Sequence, residues 1–512
     1  MPTNERYVPD PRHATLGDAF FDAVEPAAFP KHRIRYRNDR AASTIGLNSL
    51  SDDAWIAHFG RFEPLPDNLP KPLALRYHGH QFRHYNPDIG DGRGFLFAQV
   101  REAATGRLLD LATKGSGQTP YSRDGDGRLT LKGGVREVLA TELLTALGVN
   151  TSKSFSLIET GENLHRHDEP SPTRASVLVR LGHSHVRFGS FQRLAFRGES
   201  DNVKRLIDYT IETYWPETAS DDDPVASLFR HVTVAVAQQA AEWFAAGFVH
   251  GVLNTDNTVV TGESFDYGPW RFLPEFEPGF TAAYFDQTGL YAFARQPGAL
   301  HWNLQRLADC LLPFTTEAAL VDALNQFNAA FEFRLTQMTL SRLGCDPAAA
   351  TKPEAFACVQ AFYTALNQTE LPFEQTFFDL FGGGRDAARR SRSPSLDELT
   401  NAQWSAVIDA LEALPAHPSL QTGETDRRAF DGQPVTMLID DVERIWAPIA
   451  EHDDWSAFEQ KLEEIRAFGA VMEPLYAPRA LAAETMAQAT EATEATESAE
   501  VAEGVAAGQT ET

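Results

Sequence analysis

Apolar residues recur along this chain in two different patterns. Over residues 71–190, short apolar runs such as GFLFAQV, RLLDLAT and SVLVRL alternate with glycine-rich breaks, which is typical of strands joined by turns. From Pro224 onward, apolar residues recur with the spacing of helices. Residues 1–70 are mixed, contain proline and show no clear period. The pattern therefore predicts an α+β protein in which a β-rich part is followed by a helical part.

Periodicity also places individual helices. One is predicted within the β-rich part over 133–147, where it would end at Gly148, because glycine commonly terminates helices. A long and largely buried helix is predicted over 232–248. Three further helices are predicted in the helical part, over 302–312, 317–343 and 353–366.

The later part of the chain mixes one more helix with loops. Ser395 and Glu398 have the spacing of a capping box, which predicts a helix that runs from there through Leu411. Residues 382–395 contain a glycine triplet and four arginines, and we expect a loop there. A second loop is expected over 415–433.

These patterns divide the chain into four predicted parts: an N-terminal arm or subdomain over 1–70, a β-rich lobe over 71–223, a helical lobe over 224–480 and a tail over 481–512. From Leu481 onward there is no Lys or Arg, and seven Glu stand among Ala, Thr and Ser. Because a segment of this composition has nothing to bury, we expect a solvated and mostly disordered acidic tail.

The composition limits the classes of function. The 512 residues carry a formal net charge of −26 and are 43% apolar. The apolar content is sufficient for a sizeable core, whereas the acidic balance disfavours nucleic acid and anionic membranes as partners. No apolar stretch reaches the ~18 residues of a membrane span, and the three cysteines form no CxxC pair. We therefore expect a cytoplasmic protein that binds neither nucleic acid nor a membrane.

The densest chemical signal is the segment HGVLNTDNTVVTGESFDYG, which begins at His250. Protein kinases have H-R-D-x-x-x-x-N and then D-F-G in this context, and the Asn and the second Asp hold Mg²⁺. On that template Asn257 and Asp266 take the places of the metal ligands, and His250 is interpreted as a structural hydrogen-bonding residue. The place of the kinase base is taken by Val252, which cannot accept a proton. The nearest carboxylate that could replace the base is Asp256.

The β-rich part supplies the other components of a nucleotide site. The sequence GDGRG begins at Gly90, and glycines let backbone N–H groups approach phosphates. Lys114 ends a strand-like run, and Glu137 lies on the helix that follows and could pair with it. Alone, GDGRG is more typical of a β-turn and Lys114 of an ordinary strand end. Together with Asn257 and Asp266, in this order, they predict a nucleotide site that uses Mg²⁺.

Longer stretches of the chain carry a family resemblance. They cover much of residues 75–310 and comprise RYHGHQF (76–82), GDGRG (90–94), KGSGQTPYSRDGDGR (114–128), VREVLATELL (135–144), VLVRLGHSHVRFGSF (177–191), HGVLNTDN (250–257), FDYGP (265–269) and, over 285–308, FDQTGLYAFARQP followed by WNLQRLA. In these stretches the chain resembles the selenoprotein O family, also called the YdiU-type protein adenylyltransferases. That family has a protein-kinase-like fold.

The resemblance implies a two-lobed, kinase-like protein that transfers AMP from ATP to Ser, Thr or Tyr hydroxyls of proteins, with Mg²⁺ or Mn²⁺ and with ATP inverted relative to kinases. It implies that Asp256 is the proton acceptor and that Asn257 and Asp266 are the metal ligands, of which Asp266 would also contact the nucleotide. The other implied nucleotide-binding residues are Gly90, Gly92 and Arg93 in the glycine-rich loop, Lys114 with Glu137 as its partner, Asp126 and Gly127, and Arg180 and Arg187 at the phosphates.

Two alternatives stay open at this point. One is transfer of UMP from UTP with Mn²⁺ in the same pocket, because oxygen ligands accept either metal. The other is a nucleotide-binding pseudokinase scaffold without catalysis, which the absence of an Asp at position 252 would allow. The chain also departs from the family, since no Cys follows Cys358 and no family stretch can be assigned over 370–440.

Overall fold

The computed structural model describes residues 4–167, 169–422, 430, 432–480, 482, 484, 485, 487 and 488. The predicted disordered tail falls almost wholly outside these residues, as does part of the loop predicted over 415–433. Among the described helices, none is long and apolar enough to cross a membrane.

Strands predominate before residue 183 and helices after it. The strands are β1 Val8–Pro9, β2 Phe21–Ala23, β3 Arg33–Arg37, β4 Leu73–Leu75, β5 Gly79–Gln81, β6 His84–Asn86, β7 Leu96–Arg101, β8 Leu108–Lys114, β9 Leu129–Thr130, β10 Lys153–Leu164, β11 Thr173–Gly182, β12 Phe248–Val249 and β13 Arg271–Phe272. The helices are α1 Asp39–Thr44, α2 Asp52–Phe59, α3 Leu131–Ala146, α4 Phe188–Phe196, α5 Ser200–Tyr214, α6 Pro224–Ala245, α7 Gln296–Leu311, α8 Glu317–Asn325, α9 Phe327–Arg342, α10 Pro353–Asn367, α11 Phe373–Leu380, α12 Ala387–Arg390, α13 Leu396–Leu399, α14 Ala402–Ala413, α15 Pro418–Thr422, α16 Ile439–His452 and α17 Ser456–Met472.

The main sheet contains nine strands of the described chain and is antiparallel. Its order is β2-β4-β7-β8-β11-β10-β3, with β1 paired to β7 and β9 paired to β11. The apolar runs that predicted strands form β7, β8 and β11, as expected. The sequence without a clear period before residue 70 contributes β1, β2 and β3 to the same sheet.

Helix α3 packs on β10 and β11 with α17 on it as well. It begins after Thr130, whose side chain accepts a hydrogen bond from the N–H of Gly133. Gly134 brings the helix close to the sheet, because a Cβ there would lie 2.4 Å from a methyl carbon of Leu157. This close packing sets the distance between α3 and the main sheet.

Helix α6 is the buried centre of the helical part and packs against α7, α8 and α9. It starts eight residues before the predicted helix over 232–248, because the Asp223 side chain accepts from the N–H of Ala226 and Pro224 occupies the first turn. The chain after α6 passes directly into the segment that begins at His250.

Two helix predictions were wrong in detail. The helix predicted over 317–343 is divided into α8 and α9 at Gln326. The predicted capping box is also wrong, because in the described chain the Ser395 side chain caps no helix and α13 ends after one turn. The longer helix α14 instead begins after Asn401, whose side chain accepts from the N–H of Trp404 at 2.9 Å.

Candidate active site

Four charged side chains predicted from the sequence meet at one point. Lys114, at the end of β8, is buried and forms an ion pair with Glu137 of α3. The Lys114 Nζ also lies 2.8 Å from Asp266 Oδ1, and Arg180 Nη1 lies 3.0 Å from the same oxygen. One carboxylate oxygen of Asp266 therefore contacts two cations from two neighbouring strands.

Strand register explains why the two cations meet. In the β8–β11 pair, Lys114 lies opposite Leu178 and Arg180 lies opposite Ala112. Residues opposite each other, and residues two apart on one strand, share a face of the sheet. Lys114 and Arg180 are thus diagonal neighbours on one face.

Asp266 is held ionised by this arrangement. Burial alone would raise the pKa of its carboxyl, but Lys114, Arg180 and Arg187 outweigh that effect and hold the pKa well below its usual range. Its backbone has φ of +62°, a left-handed conformation that is uncommon for residues other than glycine. Such a conformation at a charged residue is typical of functional sites.

Arg187 links the cluster to the segment that begins at His250. Its Nη1 donates to the backbone oxygen of Asp256 at 2.9 Å, and its Nη2 lies 3.2 Å from Asp91 Oδ1. The guanidinium lies between two rings, 4.6 Å from the centroid of Tyr77 and 4.9 Å from that of Phe265. Stacking of this kind orients a planar cation.

Asp256 lies in a single 3₁₀ turn, Thr255–Asn257, and is 8% exposed. Its Oδ1 is buried and has no hydrogen-bond partner in the described chain. Burial raises the pKa of Asp256 to about 6, against the opposing effect of Arg187. A buried carboxylate with a free oxygen is an effective proton acceptor near neutral pH.

The residues present fit a divalent cation. Asn257 Nδ2 donates to the backbone oxygen of Val252 at 3.0 Å, which leaves its Oδ1 as the atom available to a metal. Asp266 offers the oxygen that Lys114 and Arg180 do not contact. Within the described residues no group of three His, Cys, Asp or Glu could hold a metal by itself. A set of two oxygen donors suits Mg²⁺, which usually takes its other ligands from phosphates and water.

The glycine-rich loop is packed under the segment around Tyr121. A Cβ at Gly90 would lie 2.5 Å from the Tyr121 ring, and one at Gly92 would lie 2.9 Å from the Tyr121 backbone oxygen. Glycine is therefore required by packing at both positions. The residue between them, Asp91, was not predicted; its Oδ2 accepts from the N–H of Leu75 at 3.0 Å while its Oδ1 contacts Arg187. Its position between two glycines could have indicated it.

The remaining predicted residues lie around this core. Arg93 is exposed, and its backbone oxygen accepts from the N–H of Gly115 at 2.7 Å, beside Lys114. Asp126 is exposed and forms an ion pair with Arg166 at 2.8 Å rather than with the central cluster. Gly127 has φ of +67° and packs on the backbone of Gly117.

His250 has the structural setting that the sequence suggested. It is 1% exposed, its backbone N–H donates to Gln296 Oε1 at 2.9 Å, and its Nε2 lies 3.0 Å from the Phe265 backbone oxygen. Burial lowers its pKa, so the ring is neutral. His250 thus connects the start of this segment to Phe265, the residue before Asp266.

Comparison with known proteins supports the resemblance. The family model "Protein adenylyltransferase SelO" matches residues 4–466, including 370–440, where no family stretch was assigned from sequence. A Synechocystis sp. protein named "Protein nucleotidyltransferase YdiU" is 42% identical over 473 residues, which cover 89% of this chain and 97% of the relative. Proteins of the same name from Azotobacter vinelandii and Vibrio parahaemolyticus are 37% and 36% identical over 77% of this chain and 80% and 78% of their own lengths. The chain belongs to the SelO family of protein adenylyltransferases and is a protein nucleotidyltransferase.

Proposed function

We propose that this protein transfers AMP from ATP to Ser, Thr or Tyr hydroxyls of other proteins, with Mg²⁺, on a two-lobed kinase-like fold in which ATP is inverted relative to kinases. The observation that carries the proposal is the position of Asp256. Its buried and unpartnered Oδ1 lies next to Asn257, while Val252 occupies the place of the kinase base. A base in this different place suits a reaction at a different phosphorus.

In the proposed step, the acceptor hydroxyl gives its proton to Asp256. Its oxygen forms a bond to the α-phosphorus, and the bond from that phosphorus to the bridging oxygen of the β-phosphate breaks. Pyrophosphate leaves with the electron pair. The positioned carboxylate contributes about 10²–10⁴ in rate, as expected for general base catalysis.

The basic side chains would bind and orient the triphosphate. Lys114 and Arg180 already converge on one carboxylate oxygen, at distances that phosphate oxygens could also take. Arg187 is fixed by its two rings and would present its guanidinium without much loss of entropy. Backbone N–H groups of Gly90, Gly92 and Arg93 would reach the nucleotide from the glycine-rich loop, and Asp126 and Gly127 would close the pocket.

Asn257 and Asp266 would hold the metal ion. When bound, Mg²⁺ or Mn²⁺ neutralises the charge that develops on the phosphates. Without it, Asp266 would repel those phosphates, although Lys114 and Arg180 offset part of its charge.

We also propose the four-part division of the chain and a cytoplasmic location. The three cysteines are all free thiols, which supports a reducing compartment.

Mass spectrometry of the full chain and of a cell lysate after incubation with ATP and Mg²⁺ tests the proposal. We expect an added AMP on protein hydroxyls, absent with Asp266→Ala and present with the control Asp208→Ala, which lies on the exposed ion pair of Lys204. Competition between ATP with Mg²⁺ and UTP with Mn²⁺ decides between AMP and UMP transfer. Equal labelling by wild type and Asp266→Ala would contradict the proposal, and no labelling by any nucleotide would favour the scaffold alternative.

A further inference from the structure

Exposed aromatic side chains collect around the hairpin of β5 and β6. The described chain exposes three large aromatic side chains, Phe196 (62%), Tyr284 (83%) and Phe285 (47%). Phe285 packs on Phe82 at the hairpin tip, with ring centroids 6.0 Å apart, and Tyr284 packs on Phe285. Phe196 stacks on Tyr85 of the same hairpin. Clustered exposed aromatics mark interaction sites more often than scattered ones do.

The hairpin tip has an unusual backbone. Gln81 pairs with His84, so Phe82 and Arg83 form a two-residue turn. Their φ values are +49° and +63°, and the turns that need two such residues usually contain Asn-Gly. Two bulky residues in left-handed conformations are strained, and strain of this kind is retained where it serves a function. Here it fixes the two side chains at the tip.

The loop opposite the tip is also held in place. The buried carboxylate of Asp286 accepts from the N–H groups of Leu290 and Tyr291 at 2.9 Å and 2.8 Å, directly after Tyr284 and Phe285. The exposed rings are therefore carried by a structured turn.

The hairpin contacts the turn that contains Asp256. The N–H of His80 donates to Thr255 Oγ1 at 2.8 Å, and the N–H of Phe82 donates to Asn254 Oδ1 at 3.1 Å. A Cβ at Gly79 would lie 3.4 Å from Asp256 Oδ1. The hairpin that carries these aromatic side chains thus adjoins Asp256, to which an acceptor hydroxyl would give its proton.

The charge around the tip differs from that of the whole protein. The chain carries a net charge of −26, yet Arg83 is exposed and has no carboxylate partner in the described chain. Its guanidinium lies 5.6 Å from the centroid of Trp302. This position combines an apolar surface with a free positive charge.

We propose that Phe82, Arg83, Tyr284 and Phe285, here called the aromatic rim, bind an extended segment of the protein substrate. The segment would place an apolar side chain on the three rings and an acidic side chain at Arg83, close in sequence to the acceptor residue. This inference rests on the proposed function and states which class of substrate sequence the protein modifies.

The aromatic rim is tested with a library of peptides that each contain one Ser, Thr or Tyr acceptor. The measurement is the incorporation of AMP into each peptide. For wild type we expect acceptors flanked by apolar and acidic residues to be preferred. Tyr284→Ser with Phe285→Ser should lower kcat/KM for these peptides by about tenfold or more and leave the KM for ATP unchanged. Val321→Ser, which alters an apolar side chain 49% exposed on α8, is the matched control and should change neither value.

Arg83→Glu tests the charge independently and should shift the preference from acidic to basic peptides. Arg83→Gly relieves the left-handed conformation, so it should keep the fold and lose the acidic preference. AMP incorporation that is equal in wild type and in all rim variants would overturn the rim while leaving the proposed function intact. No incorporation by wild type would instead contradict the proposed function. Light scattering measures whether the protein is a dimer. If wild type is a dimer and only the rim variants are monomers, the rim binds a second copy of this chain, and the proposal is overturned.

Discussion

Asp256 and Asp266 lie at the same site, yet their pKa shifts have opposite signs. Burial raises the pKa of Asp256 to about 6, whereas for Asp266 the neighbouring cations outweigh the effect of burial and lower the pKa well below its usual range. Two carboxylates whose environments separate their pKa values in this way usually have different roles. This separation is what the proposed roles of Asp256 as proton acceptor and Asp266 as charged ligand require.

Replacing Asp256 by Asn should remove the proton acceptor and keep the fold. Transfer of AMP should fall by about 10²–10⁴, the usual contribution of a general base. The KM for ATP should change little, because Lys114 and Arg180 are untouched. Steady-state kinetics with a saturating protein substrate measures both values. Full activity of Asp256→Asn would exclude Asp256 as the base.

The buried carboxyl of Glu263 should make the stability of the folded protein depend on pH. Burial raises its pKa to about 7 from 4.5, although the N–H of His183 and the charge of Lys153 act against this. When the pKa of a carboxyl is higher in the folded than in the unfolded protein, its contribution to stability is fully present below the unfolded pKa. That contribution is lost as pH rises through the folded pKa, here between about 4.5 and 7.

The variant Glu263→Gln should therefore be more stable than wild type at pH 8, by up to about 3 kcal/mol, and no more stable at pH 4.5. Urea unfolding at the two pH values measures the difference. Asp208→Asn, on an exposed side chain, is the control and should show no such pH-dependent gain. A gain for Glu263→Gln that is equal at both pH values would contradict the assignment.

At the scale of elements, the buried Glu242 of α6 joins parts of the chain that are far apart in sequence. It contacts Arg334 of α9 at 2.9 Å and Arg479 after α17 at 2.7 Å, and it accepts from the N–H of Asn150. Arg479 in turn donates to the backbone oxygen of Gly262, in the turn before Asp266. One buried carboxylate thus connects the chain after α17 to the segment that carries Asp266.

Replacing Glu242 by Ala should destabilise the protein strongly, because it leaves the buried Arg334 without its carboxylate partner. The loss of unfolding free energy should be about 3–5 kcal/mol. The control is Asp208→Ala, which breaks an exposed pair with Lys204 and should cost no more than about 0.5 kcal/mol. Chemical denaturation measures both. Similar losses for the two variants would show that the buried network does not stabilise the fold.

Elements with a strong local signal were predictable from the sequence, and others were not. The periodic segments of α3 and α10 and the apolar runs of β7, β8 and β11 carry their own pattern. Strands β1 and β2 are too short to do so, being two and three residues long, whereas the alternating RIRYR of β3 is a strand pattern that was overlooked. The break between α8 and α9 at Gln326 was also missed, because no Gly or Pro marks it in the sequence.

The site follows the same rule. Lys114, Glu137, Asn257 and Asp266 were predictable because a known template orders them along the chain. Asp91 was overlooked, because its role depends on contact with Arg187, 96 residues away.

At the scale of the whole molecule, the C-terminal helices are tied to the N-terminal sheet by charge. Asp453, after α16, contacts Arg35 of β3 at 2.6 Å and Arg174 of β11 at 2.7 Å. Glu142 of α3 likewise pairs with Arg466 of α17 at 3.0 Å. These contacts span more than 270 residues of sequence and hold α16 and α17 against the main sheet and α3.

The net charge of −26 does not by itself oppose a polyanionic substrate, because the site brings three cations together beside its carboxylates. Lys114, Arg180 and Arg187 converge within this acidic molecule, and each is at most 5% exposed. Burial strengthens their attraction for a triphosphate relative to the same charges on the surface.

The proposed function requires that the α-phosphate, not the γ-phosphate, is transferred to protein. The most direct measurement incubates the full chain and a protein substrate in parallel with α-labelled and γ-labelled ATP, with Mg²⁺ present, and follows label on protein. We expect label from the α position alone, and we expect it to be lost in both Asp256→Asn and Asp266→Ala. Label on protein from the γ position alone would contradict it and identify an ordinary kinase.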